Sequence, residues 1–313
     1  MSERLAIVVP VLDDWESFAT LVSRIAEQFA GSGHAVRIVA VDDGSTESFD
    51  PSTLTLPAGF VLSVVRLAVN LGHQRAIAVG LSVLARRDDI DLIVVMDGDG
   101  EDRPEDIAVL LAAHARKPSH TVLAQRAQRS ERGLFRIGYF FYKRLFRILT
   151  GRTIDFGNFT LLPMSVVRRL TYTPDLWNNL PAALIRSGVP HIEVPIDRGT
   201  RYAGQSKMNL AALITHGLSA MSVYTDVIFV RVIMAAGCVA MSTLVTIIGV
   251  LILRMFTNMG VPGWASAMVG DLMIILLQTL VMVIASCLVL LGGRSQRPVI
   301  PFLDAPAFIF SQD

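Results

Sequence analysis

The first 126 residues alternate short apolar runs with longer stretches of helical periodicity. The apolar runs, rich in Val, Ile and Leu, occupy residues 5–11, 37–43, 61–67, 91–97 and 121–126. The helical patterns between them occupy residues 15–30, 73–86 and 104–115. Nearly continuous apolar strands that alternate with helices are typical of a parallel sheet covered by helices on both faces. The pattern therefore predicts an α/β domain with a mostly parallel sheet.

Two later stretches, residues 232–253 and 272–293, carry no charged residue. Each is about 22 residues long, which as a helix spans about 33 Å and matches a bilayer core of about 30 Å. The alternative, a pair of buried core helices, is disfavoured because such helices are normally shorter and amphipathic. A chain that is 52% hydrophobic and 18% charged, with a mean hydropathy of +0.51, also disfavours an ordinary soluble enzyme.

The charges near these stretches predict their orientation in a membrane. The apolar run at residues 5–12 is too short for a signal peptide, and Asp13 and Asp14 follow it at once. Arg231 precedes the first stretch, while Arg294 and Arg297 follow the second. An excess of arginine marks the cytoplasmic side of a membrane. We therefore expect a multi-pass protein of the inner or plasma membrane with both termini in the cytoplasm. Arg254 counts against this orientation, and Trp264 is expected to anchor the outer loop at the interface.

The net charge of +1 hides a strong asymmetry along the chain. Residues 1–115 carry 18 acidic and 8 basic side chains, residues 116–207 carry 5 and 16, and the remainder carries four of each. The two cysteines lie inside apolar runs and the six histidines show no metal spacing, which excludes a disulfide framework and a thiolate zinc site. Neither a phosphate-binding P-loop nor a GxGxxG motif is present, which argues against a kinase, an ATPase or a dehydrogenase.

Acidic residues follow three of the predicted strands. They are Asp13-Asp14, Asp42-Asp43-Gly44-Ser45 and Asp97-Gly98-Asp99-Gly100-Glu101. Ligands of parallel sheets bind beyond the carboxyl ends of the strands, where these clusters meet. Clustered carboxylates repel each other unless a cation joins them, and Mg²⁺ and Mn²⁺ prefer carboxylate and phosphate oxygens. The pattern favours a divalent cation bridging to a diphosphate, although Asp, Gly and Pro104 also suit an ordinary acidic turn.

A basic and aromatic segment follows the acidic domain. Residues 126–152 contain eight bases against one acid, Glu131, and residues 134–149 mix these bases with Phe, Tyr and Leu. This composition is typical of a helix that lies on an anionic membrane surface. Nucleic acid is disfavoured as a partner because the segment adjoins an acidic edge and two apolar spans. Further on, Arg201-Tyr202-Ala203-Gly204-Gln205-Ser206-Lys207 either folds over a diphosphate or is an ordinary loop before a helix at residues 208–224.

Several motifs in order resemble one known family. They are Val8-Val9-Pro10, Val41-Asp42-Asp43-Gly44-Ser45, Asn70-Leu71-Gly72-His73-Gln74, Asp97-x-Asp99 and Arg201-x-x-Gly204-x-Ser206-Lys207. Over roughly residues 4–225 the chain resembles glycosyltransferase family 2, in particular the polyprenyl-phosphate glycosyltransferases related to dolichyl-phosphate mannose synthase. The resemblance implies a GT-A fold, a nucleotide-sugar donor, Mg²⁺ or Mn²⁺, a polyprenyl phosphate acceptor and a membrane anchor. Anchored relatives also imply a homo-oligomer such as a tetramer.

Carried over position by position, the resemblance implies roles for individual residues. It implies a nucleotide site of Pro10, Asp13, Asp42, Asp43 and Asp97, and a metal site of Asp97, Asp99 and Glu101. It implies acceptor or diphosphate contacts by Arg126, Arg129, Arg132, Arg136, Arg201, Ser206 and Lys207. Among these, Asp99, Arg126, Arg129 and Lys207 are expected to carry the catalysis. His73 and Gln74 are expected to support the turn at Asn70–Gly72, and Trp177-Asn178-Asn179 to line the sugar pocket.

The chain departs from the family pattern at three places. Asp13-Asp14 stands where relatives more often have Asn-Glu, Val69 replaces an arginine, and Gly157-Asn158-Phe159-Thr160 replaces Gly-Asp-Phe-Arg. The last change removes a carboxylate sometimes proposed as a base. A phosphomonoester has a second pKa of about 6, so it is largely dianionic at neutral pH and needs positioning instead of deprotonation. The missing carboxylate therefore favours a phosphate acceptor over an alcohol.

We therefore expect an inverting transfer from a UDP- or GDP-sugar, with UDP-glucose as the working choice, to a polyprenyl phosphate. The expected organisation is a cytosolic catalytic domain (1–207), juxtamembrane helices (208–230), a two-helix anchor (231–293) and a cytosolic tail (294–313). A polysaccharide synthase is an alternative, but it usually has a QxxRW motif, and Gln125-Arg126 and Gln128-Arg129 lack the Trp. A catalytically inactive nucleotide-sugar scaffold is the other alternative, and the intact Asp97-x-Asp99 and Ser206-Lys207 speak against it.

Overall fold

The computed structural model describes residues 3–126, 134–154, 156–203, 210–256 and 263–312. The chain divides into two compact units. The first unit comprises residues 1–143, 152–223 and 298–313, and the second comprises residues 144–151 and 224–297. The apolar segment near the carboxyl end of the chain is thus inserted into the first unit and does not simply follow it.

The described residues of the first unit form one eight-stranded sheet. Its strands are β1 (Leu5–Val11), β2 (Val36–Asp42), β3 (Phe60–Leu67), β4 (Leu92–Val95), β5 (Thr121–Arg126), β6 (Thr160–Pro163), β7 (His191–Ile196) and β8 (Ile309–Gln312). They lie in the order β7-β5-β6-β4-β1-β2-β3-β8. Strands β1 to β4 are mutually parallel and β7 is parallel to β5, whereas β6 and β8 run antiparallel to their neighbours.

The predicted α/β class is confirmed, with a sheet that is mixed as well as largely parallel. The first five apolar runs all form strands, and β4 ends at Val95, two residues before the predicted end at Asp97. The sequence pattern did not predict β6 or β8. Both are four residues long, so neither offers enough alternation to distinguish a strand from a loop.

Helices cover both faces of the sheet, as predicted. The helices that precede the two long apolar ones are α1 (Trp15–Phe29), α2 (His73–Ala85), α3 (Glu105–Arg116), α4 (Leu134–Thr150), α5 (Met164–Thr171), α6 (Asp175–Asn178), α7 (Leu180–Ser187) and α8 (Leu210–Ser222). Of these, α1 and α3 pack on one face of the sheet, and α2, α5 and α7 pack on the other. In β1, Leu5, Ile7 and Val9 belong to an apolar core shared with α1 and α3. Ala6 and Val8 belong to a second core shared with α2, α5 and α7. Because successive side chains of a strand point to opposite faces, a strand buried on both sides is apolar throughout.

The end of the chain completes the edge of the sheet. A short helix, α11 (Pro301–Asp304), and a 3₁₀ turn (Ala305–Phe308) lead into β8, which pairs with β3. The Phe308 carbonyl accepts a hydrogen bond of 2.9 Å from the Ala68 amide. The Phe308 ring centroid lies 5.1 Å from that of Trp177, and Phe302 stacks on Tyr172 at 4.5 Å. The tail is therefore a structural part of the first unit.

The second unit contains two long helices, α9 (Thr225–Phe256) and α10 (Trp264–Ser295), of 32 residues each. Both are long and apolar enough to cross a membrane, and they contain the predicted spans. Only a minority of the most apolar window of α9 is buried, and none of that of α10 is. This exposure differs from that of a soluble core helix and leaves large apolar side chains such as Leu277 and Val289 uncovered.

We expect the Phe308→Ala substitution to destabilise the first unit by about 1–3 kcal/mol, because it removes an aromatic pair and leaves a cavity beside Trp177. Thermal unfolding of the detergent-solubilised protein measures this as a lowered midpoint. Phe310→Ala is the matched control, since this ring lies two residues further along the chain and is 79% exposed. Equal midpoints for the two variants would contradict a structural role for the tail.

Candidate functional site

The predicted acidic clusters meet at one edge of the sheet. Strands β4, β1 and β2 are adjacent and parallel, and Val8 pairs with both Val95 and Val39. The carboxyl ends of the three strands therefore lie side by side. The turn that follows each strand carries an acidic group, at Asp97, Asp13 and Asp42 respectively. Pro10 lies buried in β1, paired with Val41 beneath this edge.

Asp13 and Asp42 hold the first two turns together. Asp13 has a left-handed backbone with φ 48°, a conformation that costs energy in a residue other than glycine. Its carboxylate accepts hydrogen bonds from the Thr46 amide (2.8 Å) and hydroxyl (2.7 Å), and its own amide donates to the Ser45 hydroxyl at 3.0 Å. Asp42 Oδ1 accepts from the Ser45 amide at 2.8 Å. These bonds offset the strain and keep the acidic groups at the edge of the sheet.

Asp43 has a different role from Asp42, although the two are neighbours. Both of its carboxylate oxygens accept backbone hydrogen bonds, from the amides of Leu71 (2.7 Å) and Gly72 (2.9 Å). Burial raises the pKa of Asp43, the two amides lower it, and the net pKa lies above its ordinary value. The Asp43 oxygens are therefore engaged in shaping the turn before α2. The carboxylate of Asp42, in contrast, accepts from the Ser45 amide in the turn that follows β2.

Asp97 lies in a turn that sequence reasoning described only in part. Its amide donates to Oδ2 of Asp102 at 2.9 Å, and Asp102 is only 1% exposed. Its Oδ1 lies 3.1 Å from Nε2 of His73, at the start of α2. Burial alone lowers the pKa of His73, but the charges of Asp97, Asp43 and Asp102 raise it, and the net pKa lies above its ordinary value. Asp102 thus positions the backbone of Asp97, and His73, when protonated, partly neutralises its carboxylate.

Asp99 accepts a hydrogen bond on each oxygen. Oδ1 accepts from the Glu101 amide at 2.9 Å, and Oδ2 accepts from the Arg201 guanidinium at 2.6 Å. Burial raises the pKa of Asp99 and the neighbouring charge of Asp97 raises it further, while Arg201 lowers it, with a net increase. The carboxylate therefore sits where negative charge is only partly compensated.

A series of hydrogen bonds between amide groups leads from Leu180 through Gln74 and Asn158 to His73. The Leu180 amide donates to Gln74 Oε1 (2.8 Å), and Gln74 Nε2 donates to Asn158 Oδ1 (2.9 Å). This arrangement presents Asn158 Nδ2 to His73 Nε2 at 3.0 Å. One ring nitrogen cannot accept from Asn158 and donate to Asp97 at once, so the two contacts belong to different tautomers or protonation states of His73. His73 and Gln74 thus contact Asp97 and Asn158.

The predicted three-carboxylate metal site is not assembled in the described part of the chain. Among these residues, no group of three or more His, Cys, Asp or Glu side chains is arranged to hold a metal. The Glu101 carboxylate faces Arg198 and Arg201 instead. The hard oxygens of Asp97 and Asp99 suit Mg²⁺ or Mn²⁺ chemically. A divalent cation would fit at Asp99 Oδ2 in place of the Arg201 guanidinium.

Several predicted residues cannot be placed in the site. Arg129, Arg132, Gly204, Ser206 and Lys207 lie outside the described residues. Arg126 ends β5 and Arg136 lies in the first turn of α4, and only their backbones are described. Their roles at an acceptor stay predictions. Trp177 is 8% exposed and packs against Phe308, which places it in the core and not in a sugar pocket. Asn179 caps α7 through a bond to the Ala182 amide.

Sequence reasoning missed Asp102, Arg198 and the His73–Asp97 contact. Asp102 follows an acidic run, and nothing in the sequence separates a buried turn-forming carboxylate from an exposed ligand. Arg198 lies 97 residues from its partner, so no local pattern joins them. Arg198 does stand three residues before Arg201 after the same strand, and this spacing is the one signal for a pair of arginines in that loop.

The model of the glycosyl transferase family 2 matches residues 6–171, more than half of the chain. This chain belongs to glycosyltransferase family 2. The match spans β1 to α5 and includes every acidic turn described above. The family assignment therefore rests on the same part of the chain that builds the candidate site.

The chain is also similar to curated proteins and to a solved structure. It is 26% identical over 231 residues to dodecaprenyl-phosphate galacturonate synthase of Rhizobium johnstonii, covering 71% of this chain and 67% of that protein. It is 26% identical to the undecaprenyl-phosphate 4-deoxy-4-formamido-L-arabinose transferase of Enterobacter sp., covering 67% and 64%.

Among solved structures, a glucosyl-3-phosphoglycerate synthase from Mycobacterium tuberculosis, in complex with Mn²⁺, UDP-glucose and phosphoglyceric acid, has a TM-score of 0.51. It is 13% identical and covers 72% of this chain and 80% of its own. At this identity the likeness concerns the fold alone, and it supports the predicted GT-A architecture.

We expect Asp43→Asn to destabilise the protein and Asp42→Asn to leave its stability nearly unchanged. An asparagine at position 43 has one accepting oxygen, so one buried backbone amide loses its partner at a cost of about 1–3 kcal/mol. At position 42 the amide oxygen can still accept from Ser45. Thermal unfolding of the two detergent-solubilised variants measures the difference. Equal destabilisation of both would contradict the separate roles assigned to these neighbours.

Proposed function

We propose that this protein transfers a sugar from a nucleotide-sugar donor to a polyprenyl phosphate and makes a lipid-phosphate-linked monosaccharide. The observation that carries the proposal is the turn after β4, where the largely buried carboxylate of Asp99 already binds a cationic group, Arg201. Such a turn suits a cation-bound diphosphate leaving group. The two curated relatives named above, both described as acting with a polyprenyl phosphate, support the acceptor class.

The nucleotide occupies the acidic edge in this proposal. Asp42 reads the nucleoside, Pro10 and the Asp13 turn form the floor beneath it, and Asp97 faces the ribose. Asp43 maintains the shape of the neighbouring turn. Mg²⁺ or Mn²⁺ held by Asp99 and Asp97 would neutralise charge on the departing diphosphate. Arg201, Ser206 and Lys207 then lie over the diphosphate and stabilise it from the loop after β7.

The acceptor is a phosphate because the site has an amide where a base would be needed for an alcohol. Asn158 carries no charge, and its oxygen accepts a hydrogen bond from Gln74. A lipid phosphate arrives already ionised and needs only orientation. Arg126 and Arg129, with Arg132 and Arg136 beside them, provide that orientation in the proposal. Arginine suits this task because its planar guanidinium binds phosphate through two parallel hydrogen bonds.

The reaction is a single displacement with inversion. An acceptor phosphate oxygen forms a bond to the anomeric carbon of the sugar while the bond from that carbon to the nucleotide diphosphate breaks. The electron pair of the broken bond stays on the diphosphate. An α-linked donor therefore yields a β-linked lipid phosphate sugar, and no covalent intermediate with the protein forms.

In this proposal α9 and α10 cross the membrane as a hairpin. Residues 152–223 and 298–313, which flank the two helices in the chain, belong to one compact unit, which supports placing both ends of the hairpin in the same aqueous compartment. With the arginine bias, that compartment is the cytoplasm of an inner or plasma membrane. Residues 1–207 form the catalytic part, 208–230 the juxtamembrane helices, 231–293 the anchor and 294–313 the tail. A homo-oligomer such as a tetramer stays a prediction.

We expect the full-length protein in detergent to transfer radiolabelled sugar to undecaprenyl phosphate in the presence of Mn²⁺. A screen of UDP- and GDP-sugars, beginning with UDP-glucose, identifies the donor. Asp99→Asn should lower the rate by about 10²–10³-fold, because it removes charge that positions the leaving group. Asp88→Asn makes the same chemical change at an exposed position whose side chain is 93% accessible, and it should have no effect.

Other outcomes of that assay would reject parts of the proposal. A polymeric product would indicate a polysaccharide synthase. Donor binding without transfer to any polyprenyl phosphate would indicate an inactive scaffold. Activity that survives both EDTA and Asp99→Asn would exclude the metal role.

We expect the start of α10 to lie outside the cytoplasm. In a variant whose two native cysteines, Cys238 and Cys287, are replaced by serine, Ser266→Cys should react with a membrane-impermeant maleimide in intact cells. Ser23→Cys, on the exposed face of α1, should react only after the membrane is permeabilised. Reaction of both positions in intact cells, or of neither, would contradict the hairpin.

A further inference from the structure

Glu101 lies between two arginines that come from the loop after β7. Its Oε1 lies 3.1 Å from Nε of Arg201, and its Oε2 accepts from the Arg198 guanidinium. The Glu101 side chain is 14% exposed, so both ion pairs are largely shielded from water. Each carboxylate oxygen thus already has a cationic partner. A metal ion at Glu101 would have to displace two guanidinium groups.

The backbone brings the same two segments together. The Gly199 amide donates to the Glu101 carbonyl at 2.9 Å, and the Tyr202 amide donates to the Asp99 carbonyl at 2.9 Å. A Cβ at Gly199 would lie 2.2 Å from the Gly100 carbonyl oxygen, a distance that no side chain tolerates. Residues 198–202 therefore lie directly along the acidic turn, and only glycine allows that approach.

A third contact comes from Tyr202. Its ring covers Gly100, where an added Cβ would lie 2.9 Å from two ring carbons. The Arg24 guanidinium of α1 lies 4.8 Å from the centre of the same ring. A cation over an aromatic face is attracted to it, so α1 holds the ring against the turn. Side chains on both sides of residues 199–201 therefore restrain this segment.

We propose that Glu101 is a positioning residue that anchors Arg198 and Arg201 beside the acidic turn, and that it is not a ligand of the divalent cation. This inference rests on the proposed function, in which Arg201 faces the donor diphosphate. It revises the role that the family resemblance implies for position 101. The relevant observation is that Arg201 uses different nitrogens for its two partners, Nε for Glu101 and a terminal nitrogen for Asp99.

Because Arg201 binds Glu101 and Asp99 through different nitrogens, it can exchange one partner and keep the other. Arg201 can release Asp99 and turn its terminal nitrogens to a phosphate while Nε stays bound to Glu101. Guanidinium groups bind carboxylate and phosphate with the same planar geometry, so the exchange preserves the hydrogen bonding. Glu101 would then keep the arginine within reach of the diphosphate, and Asp99 would be exposed to the cation only when the donor arrives.

The test uses Glu101→Gln in the full-length protein in detergent, with Glu27→Gln on the exposed face of α1 as the matched control. Hydrogen–deuterium exchange at the Gly199 and Tyr202 amides reports the anchoring without any nucleotide. We expect exchange there to rise by about threefold to fivefold, the effect of losing ion pairs of the usual strength. Arg198→Gln should raise exchange at the same amides, and it leaves every carboxylate in place.

Two binding measurements separate anchoring from metal ligation. Mn²⁺ affinity, from electron paramagnetic resonance in the presence of saturating UDP or GDP, should match the wild type in Glu101→Gln and fall in Asp99→Asn. Metal-free UDP or GDP affinity, from calorimetry, should weaken by about threefold to fivefold in Glu101→Gln, because Arg201 is no longer held in place.

Each result decides one question. Unchanged exchange at residues 199 and 202 would overturn the inference, as would a loss of Mn²⁺ affinity in Glu101→Gln equal to that in Asp99→Asn. If the wild type binds neither UDP nor GDP while exchange rises as expected, the proposed function fails and the anchoring itself stands. Thermal unfolding of both variants checks that the exchange reports a local change.

Discussion

The fold of the first unit depends on compensating negative charge at one edge of its sheet. Three parallel strands end side by side, and the turns that follow them carry Asp13, Asp42, Asp43, Asp97 and Asp99. Carboxylates so close repel each other, and burial makes the repulsion stronger. Each of these groups therefore has a nearby donor: a backbone amide, a hydroxyl, an imidazole or a guanidinium. The loops over the edge take their shape from that requirement.

The kind of hydrogen-bond donor distinguishes carboxylates that maintain the shape of the site from carboxylates that can exchange their partners. Asp43 and Asp102 bind backbone amides, which cannot leave without breaking the chain's local structure. Asp97 Oδ1 and Asp99 Oδ2 contact side chains, His73 and Arg201, which can rotate away. A ligand that brings its own positive charge could replace the second kind of donor at little cost. The proposed positions of the nucleotide-sugar and of the metal coincide with these exchangeable contacts.

Much of this arrangement could be predicted from the sequence, because it follows from short-range pattern. Apolar strands followed by acidic and glycine residues place the site at the carboxyl edge without any structure. Sequence could not separate Asp42 from Asp43, since adjacent residues of one type differ only in which way the turn points them. It could not join Glu101 to Arg198 either, because that pair links the turn after β4 to the loop after β7, two strands that are neighbours neither along the chain nor in the sheet. Strand β8 is too short, and too far from β3 along the chain, for its pairing to be read from pattern.

Strand β8 also determines when the sheet can be completed. Its partner β3 ends at Leu67, whereas β8 begins at Ile309, after both apolar helices. During synthesis β8 cannot pair with β3 until residues 309–312 have left the ribosome. Exposed strand edges invite pairing with other chains. In the proposed topology, the two apolar helices therefore reach the bilayer before β8 can pair with β3. A substitution in β8 that disrupts its pairing with β3 would act on this closing step, far along the chain from the acidic turns.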